Sequence, residues 1–222
     1  MPGRAYWPTT ADELRELQRA LAADAPPPWR PGPGRVAARG CFVCFERGPG
    51  ARAWAAAAVV RGERVLGRSV ITGCAGHGYE AGLLALREGR LLEAAVRALP
   101  RRPDVLLVNA TGRDHQRRAG LALHLGAVLE LPTVGVTHRP LVAEGAWPAS
   151  ERGAHSPLRI GEEIVGCWLR TVPRARPLAV DAAWRTDVEL ARAVVLACAA
   201  RVRTPEPLRE ARRAARTARG PA

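Results

Sequence analysis

Pro103-Asp104-Val105-Leu106-Leu107-Val108-Asn109-Ala110-Thr111-Gly112 is the stretch on which the fold turns. Four apolar residues in a row, opened by Pro-Asp and closed by a polar residue, read as a short strand buried on both faces. That is the pattern of a parallel strand inside a sheet. Working outward, residues 80–99 and 115–129 read as helices on either side of it, and 133–136 as a second buried strand. Upstream, residues 40–45, 53–60 and 64–69 form an antiparallel meander with turns at 48–50 and 61–63. Downstream, 164–170 and 178–180 read as strands and 187–202 as the last long helix. Strands that come first as a meander and then alternate with helices predict an α/β fold, a mixed central β-sheet flanked by helices on both faces. In such sheets chemistry gathers beyond the carboxyl ends of the central strands. The segments 40–45 and 105–109 are therefore expected to lie side by side, in parallel, and to carry the site.

The 222 residues suit one domain spanning 1–222. Residues 11–23 read as an amphipathic helix capped by Thr10. Together with a proline-rich connector at 26–33 they make an N-terminal appendage, 1–33. The basic tail, 209–222, is expected to fray. The longest apolar run, 54–60, is too short to cross a bilayer, and residues 1–7 lack a signal-peptide pattern. The expectation is a cytoplasmic, monomeric protein with no membrane contact. Five cysteines, an odd number, argue against a disulfide framework. Cys41 and Cys44 lie three apart on a strand, hence on opposite faces, and read as small buried hydrophobes rather than metal ligands.

Formal charge is +13, and all 34 basic residues are arginine. Such a charge suits an anionic partner. The dominance of Ala, Gly, Pro and Arg, with Asn109 the only asparagine, is also what a GC-rich codon bias produces, and it accounts for part of the excess.

Several blocks in order carry a resemblance: Tyr79-Glu80-Ala81-Gly82-Leu83-Leu84-Ala85-Leu86-Arg87-Glu88, then 103–112, then His115-Gln116-Arg117-Arg118-Ala119-Gly120-Leu121-Ala122, with His124, Gly126, Leu131-Pro132-Thr133-Val134-Gly135-Val136 and finally Arg203-Thr204-Pro205-Glu206-Pro207 and Arg209. Across residues 14–215 the chain resembles the endonuclease V family. The resemblance implies a ribonuclease H-like fold and a Mg²⁺- or Mn²⁺-dependent nuclease nicking DNA or RNA on the 3′ side of inosine. In that family the cation is held by an Asp on the first strand, a Glu after the tyrosine block, an Asp ending the second central strand and a late His.

Matched residue by residue, the first Asp is Phe42, the Glu is Glu88, the second Asp is Asn109 and the late His is Trp184, while a family lysine falls on His138. One remaining carboxylate is a poor match for a hard cation that needs oxygen ligands. The expectation is a nucleic-acid-binding family member impaired in cleavage. The alternative is an active endonuclease with a rearranged carboxylate site, Glu88 joined by Asp181. The resemblance further places Tyr79 in a strand-parting wedge, though without its flanking prolines. It places Gly82, Leu84 and Gly112 around a flipped base, His115 beside that loop, and Arg117 and Arg118 at a helix start facing phosphate. The bland readings are packing for Tyr79, turns for the glycines, a solvated face for the arginines and helix capping for Asp181.

Overall fold

Ala55, Ala56, Ala57 and Ala58 have no solvent-accessible surface, so the strand that holds them is covered on both faces. The computed structural model describes residues 5–32, 37–46, 52–62, 64–100, 104–199 and 201–220. In chain order the elements are α1 (Ala11–Ala23), β1 (Ala38–Phe45), β2 (Arg52–Arg61), β3 (Arg64–Cys74), α2 (Leu84–Arg97), β4 (Val105–Val108), α3 (Leu121–Leu129), β5 (Thr133–Thr137), β6 (His155–Ile160), β7 (Glu163–Leu169), β8 (Leu178–Ala182), α4 (Val188–Cys198) and α5 (Glu206–Arg219). The strands form one eight-stranded sheet in the order β3-β2-β1-β4-β5-β8-β7-β6.

The centre is parallel, as the apolar run predicts. Cys41 of β1 stands opposite Val108 of β4, and Val108 opposite Gly135 of β5. The meander β1-β2-β3 and the strands β8, β7 and β6 add antiparallel wings. One face buries Cys41, Val43, Leu106 and Val108 beneath α1, α2 and α3. The other buries Val105, Leu107, Val134 and Val136 with residues of α4 and α5. Phe42 and Cys44 join Ala214 and Ala215 of α5, so Cys41 and Cys44 do lie on opposite faces. Among the described residues no helix is long and apolar enough to cross a membrane.

Several expected boundaries move. The first helix after the meander begins at Leu84, not at residue 80, because Gly82 takes φ +81° and turns the chain. The next begins at Leu121, not at residue 115. Arg118 adopts φ +56°, and Asp114 is committed to the backbone N–H groups of Leu141, Val142 and Ala143. α4 stops at Cys198, short of residue 202. The tail expected to fray is instead the helix α5. Leu208, Ala211 and Ala215 recur on one of its faces and are buried against the sheet, a spacing that makes an amphipathic helix despite the basic composition. β6 is a strand the sequence reading lacks altogether. The expected turn at 48–50, Glu63 of the turn at 61–63, and Pro33 and Pro103 lie outside the described residues.

Candidate nucleic-acid site at the carboxyl ends of β1 and β4

Because Cys41 pairs with Val108, the next residues along, Phe42 and Asn109, stand side by side on neighbouring strands, about 4.8 Å apart by strand spacing. Alternation along β1 turns Phe42 toward α5, where the Arg212 guanidinium carbon sits 5.0 Å over its ring. Asn109 is exposed just past β4. His138 follows the carboxyl end of β5, so it belongs to the same edge. Burial lowers its basicity, and the positive charges of Arg203 and Arg212 lower it further.

Glu88 lies in the second turn of α2 and acts electrostatically on Cys41, which faces that helix. Its carboxyl group has no hydrogen bond or ion pair with a described residue. Burial pushes its pKa up to about 7, against a smaller opposing pull from Arg87. Arg87 itself stacks on Phe45 at 4.0 Å and donates to the His77 carbonyl.

Trp184, a matched position, is not brought to this edge, and Asp181, named for the alternative site, is buried under the loop that follows Asn109. Trp184 follows β8, which runs antiparallel to β5. Its carbonyl accepts from Thr133 N at 2.9 Å, its N–H donates to Thr133 Oγ1 at 3.1 Å, and its side chain packs where α3 passes at Gly126. Thr133 opens β5, so Trp184 belongs to the opposite end of the sheet from Asn109. Asp181, on β8 opposite Gly135, is fully buried; its Oδ2 accepts from Gly112 N, and its Oδ1 has no partner among the described residues. Burial, then the nearby Asp114, raises its pKa well above the ordinary carboxylate range. Asp181 lies on β8, three strands and roughly 14 Å from β1, whereas Glu88 lies on α2 beside Cys41 of β1, an arrangement that does not favour the alternative pairing of the two. Among the described residues no three His, Cys, Asp or Glu side chains gather where they could hold a metal ion.

On the α2–α3 side of the edge opens a cavity of about 170 Å³, lined by Tyr79, Gly82, Leu84, Asn109, His115 and Thr137 among others. A cavity of about 150 Å³ already takes benzene, so this one is on the scale of a single ring system. Tyr79 stands at its rim, 75% exposed. The floor is built around the Gly82 carbonyl, which accepts from Gln18 Nε2, His115 Nε2 and Arg117 Nη2 at 3.1–3.2 Å. The His115 Nδ1 accepts from Arg117 N, which assigns the proton to Nε2, and burial disfavours a second proton.

Arg117 therefore braces the floor from behind, also donating to Gln18 Oε1 at 2.6 Å. Arg118 bonds Glu163 and the Ile160 carbonyl across the β6–β7 turn. Neither opens a helix as expected. Gly112 does not line the cavity; its Cα approaches the Ala182 carbonyl so closely that a side chain would not fit. Gln18 is the residue the sequence reading missed. The signal was present: a glutamine on the Leu14–Leu21 face of α1, where an apolar residue would ordinarily sit.

The strand order, the parallel β1-β4-β5 core and a polar edge at its carboxyl ends define a ribonuclease H-like fold. Residues 34–213 match the family Endonuclease V, and the chain belongs to that family. It is 37% identical to the Endonuclease V of Azotobacter vinelandii, covering 94% of this chain and 95% of that one. The solved Endonuclease V of Streptomyces avermitilis superposes with a TM-score of 0.85 at 34% identity, over 96% of this chain and 95% of the other. The catalytic domain of human Endonuclease V gives 0.82 at 29%, over 95% and 96%.

Proposed function

We propose that this chain is a nucleic-acid-binding member of its family in which cleavage at inosine is lost or severely weakened. The observation that carries the reading is Phe42 beside Asn109, with Arg212 stacked on Phe42, at the edge where a cation would have to be held. A phosphodiester resists attack unless a metal polarises it and activates water. The family implies Mg²⁺ or Mn²⁺ for this, but the residues present do not fit such an ion. Phe42 offers no oxygen ligand, Asn109 a neutral amide, and Glu88 is the one carboxyl group left of the family's set.

Binding has its own supports. The cavity between Tyr79 and His115 has the size and the mixed apolar and polar lining that suit an unstacked base, and the +13 charge favours a polyanion. Inosine-bearing DNA or RNA is the first ligand the family suggests. The rearranged-site alternative is left with Glu88, because Asp181 lies on β8, three strands from the β1 that Glu88 faces.

The test is a titration of labelled strands, with and without inosine, at low and physiological salt. The expected result is binding that weakens steeply with salt, with tighter binding of the inosine strand removed by Tyr79→Ala. No binding at low salt would refute the proposal.

A further inference from the structure

The α5 side of the same edge carries a second feature. Residues between Val202 and Thr217 line a groove of about 520 Å³ whose walls include Arg203, Arg209, Glu210, Arg212, Arg213 and Arg216. Two of these arginines are neutralised: Arg209 pairs with Glu206, and Arg213 shares Glu210 with Arg68. Arg203, Arg212 and Arg216 have no ion pair with a described residue. Arg203 spends donors on the carbonyls of Arg176 and Pro177, which hold it in place. Arg212 is held by its stacking on Phe42. Three guanidinium groups thus line the groove with no ion pair of their own among the described residues, the one carboxylate in its lining, Glu210, being taken up by Arg213 and Arg68. Arg212 and Arg216 repel one another, and Arg203 and Arg212 both act on His138.

We propose that this groove is a phosphate site, in which Arg212, oriented by Phe42, with Arg203 and Arg216, grips a phosphate group of a nucleic-acid strand. The guanidinium fork matches two phosphate oxygens at once. Arg212 thus supplies a fixed positive charge close to where family members are expected to place a divalent cation, but one that grips phosphate without activating water. Asn109 lines the base-sized cavity on the α2–α3 side, and its strand neighbour Phe42 carries Arg212 of the groove on the α5 side. A nucleotide whose base enters the cavity would carry its phosphate over that edge toward Arg212. The inference rests on the nucleic-acid reading and gives it a contact map.

The experiment compares the full chain with Arg212→Gln, Arg216→Gln and a control, Arg64→Gln at the exposed start of β3, by anisotropy titration across a salt series. Thermal melts check folding, and Arg216 is exposed, so its variant is expected to fold. Each groove variant is expected to weaken binding about tenfold and to lower the salt slope by about one, with the control unchanged. Strands with a 5′-phosphate and with a 5′-hydroxyl separate the two sources. Equal affinity means that an internal phosphodiester is gripped, and a preference for the phosphorylated end means a terminal phosphate. If the unmodified chain binds and both groove variants bind as well as it does, the groove is refuted while nucleic-acid binding stands. If the unmodified chain fails to bind, both fall together.

Discussion

Glu88 is the residue on which chemistry and stability pull in opposite directions. A buried carboxylate without a partner is costly, and burial raises its pKa from the ordinary 4.5 to about 7. A folded-state pKa above the unfolded one means that the native protein binds the extra proton. The contribution is therefore fully present below pH 4.5 and is lost as pH rises through 7. Glu88→Gln removes that loss. The variant is expected to match the unmodified chain in urea melts near pH 4.5 and to exceed it above pH 7 by up to about 3 kcal/mol. A variant less stable at high pH would mean that the carboxylate has a favourable partner. At this scale the placement of Phe42 beside Asn109 was legible, since apolar parallel strands announce themselves and the motif blocks fix their ends. The placement of Trp184 was not. Matching a motif gives a position in the chain, and only the reversal of β8 against β5 reveals that this position lies at the far end of the sheet.

At the scale of elements α5 matters most, because it brings the groove arginines to the sheet. Its close seat depends on Gly40 of β1. A Cβ there would lie 2.3 Å from the Pro207 carbonyl carbon and 2.5 Å from the Leu208 nitrogen, both backbone atoms that cannot rotate away. Gly40→Ala is expected to cost about 1–3 kcal/mol, seen as a lower denaturation midpoint, and to weaken nucleic-acid binding as α5 shifts. An unchanged midpoint would mean that the helix is not seated as described. α5 was hidden in the sequence because its composition reads as a solvated tail, while the pattern of Leu208, Ala211 and Ala215 uses small residues whose apolar signal is faint. β6 was hidden for another reason. Only Leu158 of its six residues is buried, and it contains Pro157, which an edge strand tolerates.

At the scale of the whole molecule, the scaffold of a nuclease family is kept, with its base-sized cavity, while the edge that would hold a metal carries an aromatic ring, an amide and a stacked guanidinium. Two carboxylates alone should not restore cleavage, because an aspartate at position 42 would be captured by Arg212. Trp184→His should add nothing, since that residue sits at the opposite end of β5. The most direct measurement is single-turnover nicking of an inosine-containing strand with Mg²⁺ and with Mn²⁺, comparing the unmodified chain with Phe42→Asp/Asn109→Asp/Arg212→Ala. The prediction is no product from the unmodified chain and measurable product from the triple variant. Robust nicking by the unmodified chain, abolished by Glu88→Ala, would contradict it.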